Sequence, residues 1–208
     1  RETQAVADEL YNYGFTALAL HGDLDQKARD QTLVRFSNKS ASVLVATDVA
    51  ARGLDIDALD MVINYHLSHD NEVHVHRIGR TGRAGNRGIA CTLYTEKEQF
   101  KVIGLENYLD LSLTSEPLPP LRLLDTQPSQ PLMTTLQIDG GKKQKIRPGD
   151  IVGALTGDNG IQGDQIGKIQ MFDNWAYVAV KRSVVKVAMN KLAEGTLKGK
   201  SCRFRQLR

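Results

Sequence analysis

Val43-Leu-Val-Ala-Thr-Asp-Val-Ala-Ala-Arg-Gly-Leu-Asp55 decides how the first half of the chain is read. Its opening residues are apolar and β-branched, which predicts a buried strand over Ser42–Ala46. The strand ends at Thr47-Asp48, and in a parallel sheet ligands collect at the carboxyl ends of strands. There Thr47 and Asp48 can reach a backbone phosphate or sugar, Gly53 lets main chain come close, and Asp55 can accept a ribose hydroxyl. A capped turn, with Asp48 merely opening a helix, explains the same residues.

Outward from that stretch, short apolar runs alternate with helical patterns. Thr3–Tyr13 predicts a helix with Ala5, Val6 and Leu10 on one side, and Thr16–Leu20 a buried strand. Asp25 caps a helix that carries Leu33, Val34 and Phe36 towards a core. Met61–Tyr65 and Ile89–Tyr94 are further strands, with helices at Asn71–Ile78 and from Glu96 to about Tyr108. Strands alternating with helices imply a mostly parallel sheet covered on both faces. Five of the six prolines (117, 119, 120, 128 and 131) then crowd into Thr114–Pro131, which predicts an extended linker, or an extended tail along the first domain's surface.

Beyond the prolines the pattern changes. Thr134–Ile138 alternates like a strand, Pro148 opens a helix, and Lys168–Met171 and Ala176–Val180 are strands joined by a turn at Phe172–Asn174. Ser183–Leu192 places Val184, Val187, Ala188 and Leu192 on one helical face, and Ser201–Leu207 closes as a strand. This β-α-β-β-α-β order is the split βαβ arrangement.

The chain has 208 residues, enough for two compact domains, with 41% hydrophobic and 25% charged residues. No apolar run approaches the ~20 residues that span a bilayer, and no secretory leader opens the sequence, so a cytoplasmic protein without a membrane partner is expected. Cys91 and Cys202 lie far apart and read as reduced, buried thiols. The first residue is Arg1, so the sequence reads as part of something longer. The net charge of +3 is unevenly spread. From Met133 to Arg208, 14 Lys and Arg stand against 6 Asp and Glu, a balance of +8 that leaves −5 on residues 1–132. Such asymmetry points to a polyanion partner for the C-terminal half, or to a solvated basic surface.

His76-Arg-Ile-Gly-Arg-Thr-Gly-Arg-Ala-Gly85 carries the clearest chemistry. Arg77, Arg80 and Arg83 recur every third residue between Gly79, Gly82 and Gly85. Guanidinium forks match phosphate oxygens, and glycines let backbone approach a phosphate closely. A solvated basic loop would leave the glycines and the spacing unexplained.

Together the two stretches resemble motifs V and VI of DEAD-box RNA helicases, which lie in the second RecA-like lobe of that family. Leu20-His-Gly-Asp23 with Gln26, Arg29, Leu33 and Phe36 is similar to the family's intervening block. The resemblance runs through residues 1–112. It implies that Arg83 is the arginine finger and Arg80 its companion on the γ-phosphate, and that Asp55 contacts the ATP ribose. On the nucleotide side stand Asp55, Gly53, Arg80 and Arg83. Gly22, Thr47, Asp48 and Arg52, again with Gly53, form the segment that meets RNA phosphate and couples it to the nucleotide. His76 resembles the residue that touches the opposite lobe's catalytic loop. The family uses ATP with Mg²⁺, and its phosphate loop, metal ligands and water-orienting base sit on a first lobe not found in this sequence. This stretch alone is therefore expected to hydrolyse ATP negligibly, and the lobe's first strand is expected upstream of Arg1.

Gly195-Thr-Leu-Lys-Gly-Lys-Ser201 imitates a phosphate loop but is one residue short and lies between a helix and a strand, the reverse of the required context. His66, His69, His74 and His76 match no zinc spacing, so no metal site is expected.

In the C-terminal half, Asp173-Asn-Trp-Ala-Tyr-Val-Ala-Val180 is similar to the strand consensus of the RNA-recognition module. Trp175, Ala176, Tyr177 and Val178 agree with it; Asp173, Asn174 and Val180 do not. Tyr177 is thus a candidate for base stacking, or a core aromatic. The cations carry more of the expectation: Lys142, Lys143, Lys145, Arg147, Lys168, Lys181, Arg182, Lys198, Lys200, Arg203 and Arg205. In Arg203-Phe-Arg205 both guanidiniums share a strand face, with Phe204 opposite. That pattern suits structured RNA read through its phosphates.

Ile138-Asp-Gly-Gly-Lys-Lys143 and Arg147-Pro-Gly-Asp-Ile151 extend the resemblance to bacterial DEAD-box helicases with an RNA-binding appendage. It implies an ATP hydrolase of the EC 3.6.4 type, a monomer, that acts in assembly of the large ribosomal subunit. The appendage would bind a hairpin of 23S rRNA while the lobes unwind a nearby duplex on the pre-ribosomal particle. The expected fold is therefore α/β, a RecA-like parallel sheet covered by helices over 1–113 with its first strand absent. A Pro-rich linker over 114–132 and an RRM-like split βαβ (α+β) domain over 133–208 follow. Two rivals remain: an RNA-binding adaptor with a vestigial RecA-like lobe, and a DNA-directed translocase. Intact Arg80, Arg83 and Asp55 argue against the first.

Overall fold

The computed structural model of the chain describes residues 2–51, 59–82 and 87–207. The chain divides into two compact units, residues 1–51 with 124–208, and residues 52–123.

In the first unit, α1 (Glu2–Asn12) packs on β1 (Ala17–Leu20), which pairs in parallel with β2 (Val43–Ala46). Between them lies α2 (Gln26–Ser37). It starts where the Asp25 carboxylate accepts a hydrogen bond from the Ala28 N–H at 2.7 Å, satisfying one of the helix's orphan donors. Thr47 caps the short α3 (Asp48–Ala51), its Oγ accepting from the Ala50 N–H at 3.3 Å.

The same unit contains a four-stranded antiparallel sheet in the order β6-β7-β5-β8, formed by β5 (Met133–Ile138), β6 (Ile166–Met171), β7 (Ala176–Lys181) and β8 (Phe204–Gln206). Two helices, α6 (Pro148–Thr156) and α7 (Val185–Glu194), complete the split βαβ fold. Pro148 sits in the first turn, where its missing N–H would be unpaired anyway, and the Asp150 carboxylate accepts the Arg147 N–H at 2.8 Å. Strand alternation sorts the residues by face. Leu136 and Ile138 of β5 and Ala176, Val178 and Val180 of β7 join Ile151, Leu155, Ala188 and Leu192 in the helix-covered core. Thr135 and Gln137 of β5 lie opposite Ala179 and Tyr177 of β7 on the other face.

Leu136 is fully buried at the centre of this core. Leu136→Ala is expected to destabilise the unit by about 2–5 kcal/mol through lost transfer energy and the cavity left behind. Chemical denaturation monitored by circular dichroism checks this.

In the second unit, β3 (Met61–Asn64) pairs in parallel with β4 (Ile89–Thr92). α4 (Asn71–Ile78) is capped by Asp70, whose carboxylate accepts the Glu72 N–H at 2.8 Å. α5 (Gln99–Leu109) ends at Asp110 in a left-handed conformation.

Among the described residues the four parallel strands form two hydrogen-bonded pairs, β1–β2 and β3–β4. Three details differ from the sequence expectation. The proline-rich stretch holds a 3-10 turn at Leu121–Asp125, in the proline-free gap between Pro120 and Pro128. Val187 is exposed although α7's packed row was expected to include it. Ala188 and Leu192 form that row at i, i+4, which leaves Val187 on the flank. Cys91 is a free, exposed thiol rather than a buried one, since Ile89 and Ala90 beside it in β4 are also uncovered; Cys202 is free and half-buried. Among the described residues no helix is long and apolar enough to cross a membrane.

Candidate functional site

Three segments assemble the candidate chemistry, and the first is at the strand ends of the first unit. The parallel register places Leu20 beside Ala46, so the chain leaves both strands at the same end. Gly22 is exposed just beyond β1, and Thr47 and Asp48 lie just beyond β2. The Thr47 N–H donates to the Leu20 carbonyl at 3.3 Å, which ties the two exits together. Arg29 reaches across from α2, donating from Nη2 to the Ala50 carbonyl at 2.8 Å, and so clamps α3. Arg52, Gly53 and Asp55 lie outside the described residues.

The second segment is the arginine run in the second unit. His76 is exposed on α4. Arg77 is half-buried and turned inward, its Nη1 donating to the His66 carbonyl at 2.9 Å and to Asn64 Oδ1 at 3.4 Å. The first arginine of the threefold repeat therefore fastens α4 to the end of β3 and is spent on structure. Arg80 follows the helix, half-buried, and its carbonyl accepts the Leu59 N–H at 3.0 Å. The Thr81 hydroxyl donates to the Leu59 carbonyl, which pins the run at this point. Gly82 has φ +66°, a conformation open to glycine and strained for other residues. Arg83 and Gly85 lie outside the described residues.

His74 shares α4 and is buried, with no hydrogen-bond partner for Nδ1 among the described residues. Burial lowers its pKa below the ordinary histidine value, and the Arg77 charge adds to the shift. The unfolded chain then takes up the proton more readily than the folded one. Stability from this group is present above about pH 6.5 and is lost as pH falls towards the folded value. His74→Gln is expected to flatten this part of the stability profile; a thermal-unfolding series from about pH 7.5 to 5 that is equally steep in both proteins would contradict it.

The third segment is cationic and belongs to the split βαβ fold. The chain from Gly140 to Arg147 lies against the Phe172–Trp175 turn. The Lys142 and Lys143 N–H groups donate to the Phe172 and Asp173 carbonyls, both at 2.9 Å. A Cβ on Gly141 would sit 2.2 Å from the Phe172 carbonyl oxygen, so only glycine allows this approach. With Ile146 buried as an anchor, Lys142, Lys143, Lys145 and Arg147 are all exposed. The Asp139 N–H donates to the Arg203 carbonyl at 2.8 Å, which brings exposed Arg203 beside the start of the loop.

The other candidate cations differ in their commitments. Lys181 pairs with Asp164 at 2.9 Å, and Arg182 Nε donates to the Pro131 carbonyl at 2.9 Å. Arg205 donates from Nε and Nη2 to Gln137 Oε1 at 3.2 and 3.0 Å, while Phe204 packs against the core as expected. Arg203 precedes β8 rather than sharing it. Lys198 pairs with Asp150 at 3.4 Å. Lys168 and Lys200 are exposed. Leu197 and Lys200 bond mutually around Lys198 and Gly199, so the imitation phosphate loop is a tight two-residue turn.

Tyr177 requires a correction. Its ring is fully buried, edge-on to Phe172 at 5.4 Å, with no face open for a base. The sheet face that carries it is covered by α2, whose Gln31 donates to Gln137 Oε1 at 3.0 Å. Burial accordingly raises the Tyr177 phenol above its ordinary range; the Gln31 side chain opposes this shift, and Asp30 adds to it. The sequence reading also missed Lys27, which lies 5.3 Å from the Trp175 ring centroid. No local pattern links residues so distant in the chain.

Residues 1–85 match the helicase conserved C-terminal domain, and residues 135–206 match the DbpA RNA binding domain. The whole chain is 51% identical to ATP-dependent RNA helicase DbpA of Escherichia coli, covering 45% of that protein. The chain corresponds to the C-terminal portion of the DbpA family of DEAD-box proteins. The DbpA of Bacillus subtilis is 34% identical over 94% of the chain and, like the first, is about twice its length, 45% being covered. Among solved structures, a DEAD box protein of Methanococcus jannaschii is 43% identical, with a TM-score of 0.50 over 54% of this chain and 31% of its own. The E. coli DEAD-box protein SrmB is 30% identical, with a TM-score of 0.50 over 62% of this chain and 75% of its own. The DEAD-box assignment matches the motif reading, and the RNA binding domain covers the exposed cationic loop.

Proposed function

We propose that the chain is the C-terminal part of an ATP-dependent RNA helicase that acts on the maturing large ribosomal subunit. A second RecA-like lobe over residues 1–113 closes on ATP and Mg²⁺ held by a first lobe, with Arg83 as the finger, Arg80 beside it and Asp55 on the ribose. Gly22, Thr47, Asp48, Arg52 and Gly53 follow the RNA backbone. The linker over 114–132 leads to an RNA-binding domain over 133–208 that holds a hairpin of 23S rRNA and tethers the motor to a neighbouring duplex. The protein works as a cytoplasmic monomer, and this part alone turns over no ATP.

One observation carries the reading. The arginine–glycine run and an RNA-binding fold occur in one chain, and that fold presents Lys142, Lys143, Lys145 and Arg147 on a loop shaped by Gly141. Loop cations pinned by backbone hydrogen bonds suit phosphates held in a defined three-dimensional arrangement rather than a flat base stack.

Binding of this chain to hairpins excised from 23S rRNA, measured against unrelated hairpins of equal length and charge, tests the partner. Selective binding of one ribosomal hairpin is expected. Equal affinity for all of them would leave only a general polyanion surface.

A further inference from the structure

A cluster of polar side chains joins α2 and the segment after it to the sheet of the RNA-binding fold, and neither the nucleotide site nor the cationic loop uses it. Thr135 Oγ lies 2.7 Å from Ser40 Oγ and accepts a hydrogen bond from Asn38 Nδ2 at 3.2 Å. Thr135 is fully buried, and Asn38 and Ser40 are nearly so. Around this centre, Gln31 donates to Gln137, and Gln170 Nε2 donates to Ser37 Oγ at 2.9 Å.

An apolar contact tolerates sliding, whereas buried hydrogen bonds do not. Displacing one side strands polar atoms away from water, so such a network selects a single mutual orientation. The part bonded through Gln31, Ser37, Asn38 and Ser40 also carries Gly22, Thr47 and Asp48, and the fold bonded through Thr135, Gln137 and Gln170 also carries Lys142, Lys143, Lys145 and Arg147, all within one compact unit.

We propose that the Ser40–Thr135–Asn38 cluster is a positioning latch that holds these two RNA-contacting surfaces in one fixed relation. A hairpin captured by the loop then delivers its neighbouring strand to the lobe at a set spacing, rather than merely nearby. The inference rests on the RNA-remodelling reading above.

The test uses the full-length protein and RNA substrates in which a single-stranded spacer of increasing length separates the ribosomal hairpin from a short duplex. Wild-type unwinding is expected to peak sharply at one spacing. Thr135→Val, which keeps the shape and removes the hydroxyl, is expected to bind the hairpin equally well and to flatten that peak. Thr135→Ser is expected to restore it. An unchanged peak in Thr135→Val overturns the latch. Amide hydrogen exchange supplies a second readout that is independent of activity. Exchange in α2 should quicken roughly tenfold or more in Thr135→Val, while α6 and α7 remain protected. If the wild type shows no dependence on the hairpin, the functional reading fails. The exchange result then decides the latch alone, and equal α2 protection in both proteins overturns it.

Discussion

Arg83→Ala in the full-length protein is expected to lose ATP turnover by about 10³- to 10⁵-fold while RNA binding is largely retained. Negative charge rearranges over the phosphoryl oxygens in the transition state, and a guanidinium that arrives only when the lobes close stabilises that state and not the open form. Arg83→Lys should not rescue it, because a point charge lacks the planar fork that meets two oxygens at once. Arg77→Ala should behave differently. Arg77 already donates to Asn64 and the His66 carbonyl, so its loss should loosen α4 and lower thermal stability together with activity. Steady-state phosphate release at saturating RNA, beside RNA affinity by fluorescence anisotropy, separates the two arginines. Near-normal hydrolysis by Arg83→Ala contradicts the assignment.

The second large effect concerns charge at the cationic loop. Replacing Lys142, Lys143, Lys145 and Arg147 together by Ala is expected to weaken hairpin binding strongly and to flatten its salt dependence. Each phosphate contact contributes roughly 0.7–0.9 to the slope of log affinity against log salt, so four lost contacts should reduce that slope by about 3. The fold should survive, because these side chains are exposed and the loop is held by Gly141, Ile146 and backbone hydrogen bonds. Binding isotherms from about 50 to 200 mM salt measure the slope. An unchanged slope with lowered affinity would assign the loop to folding rather than to phosphate contact.

Much of the fold was legible because local signals agreed with one another. Asp25 and Pro148 open helices as their chemistry predicts, and the alternation in β5 and β7 sorts core from face. The arginine–glycine motif stood out in the sequence because glycine and arginine alternating at fixed spacing suit a phosphate partner. Arg77 shows the limit: its spacing equals that of Arg80 and Arg83, yet its neighbours Asn64 and His66 come from another element. Tyr177 shows it again. Alternation places its ring on the sheet's outer face, but only the tertiary arrangement reveals that α2 covers that face. The polar contacts of Thr135 with Asn38 and Ser40 span nearly half the chain, and nothing in either segment alone announces the other.

In the function proposed, the C-terminal RNA-binding fold chooses the RNA on which an ATP-driven lobe acts. The most direct measurement of that choice is the rate of ATP turnover by the full-length protein with the ribosomal hairpin fragment, with unrelated RNA of equal length, and with DNA. Strong stimulation by the ribosomal fragment alone is the predicted result, and equal stimulation by all three would contradict it.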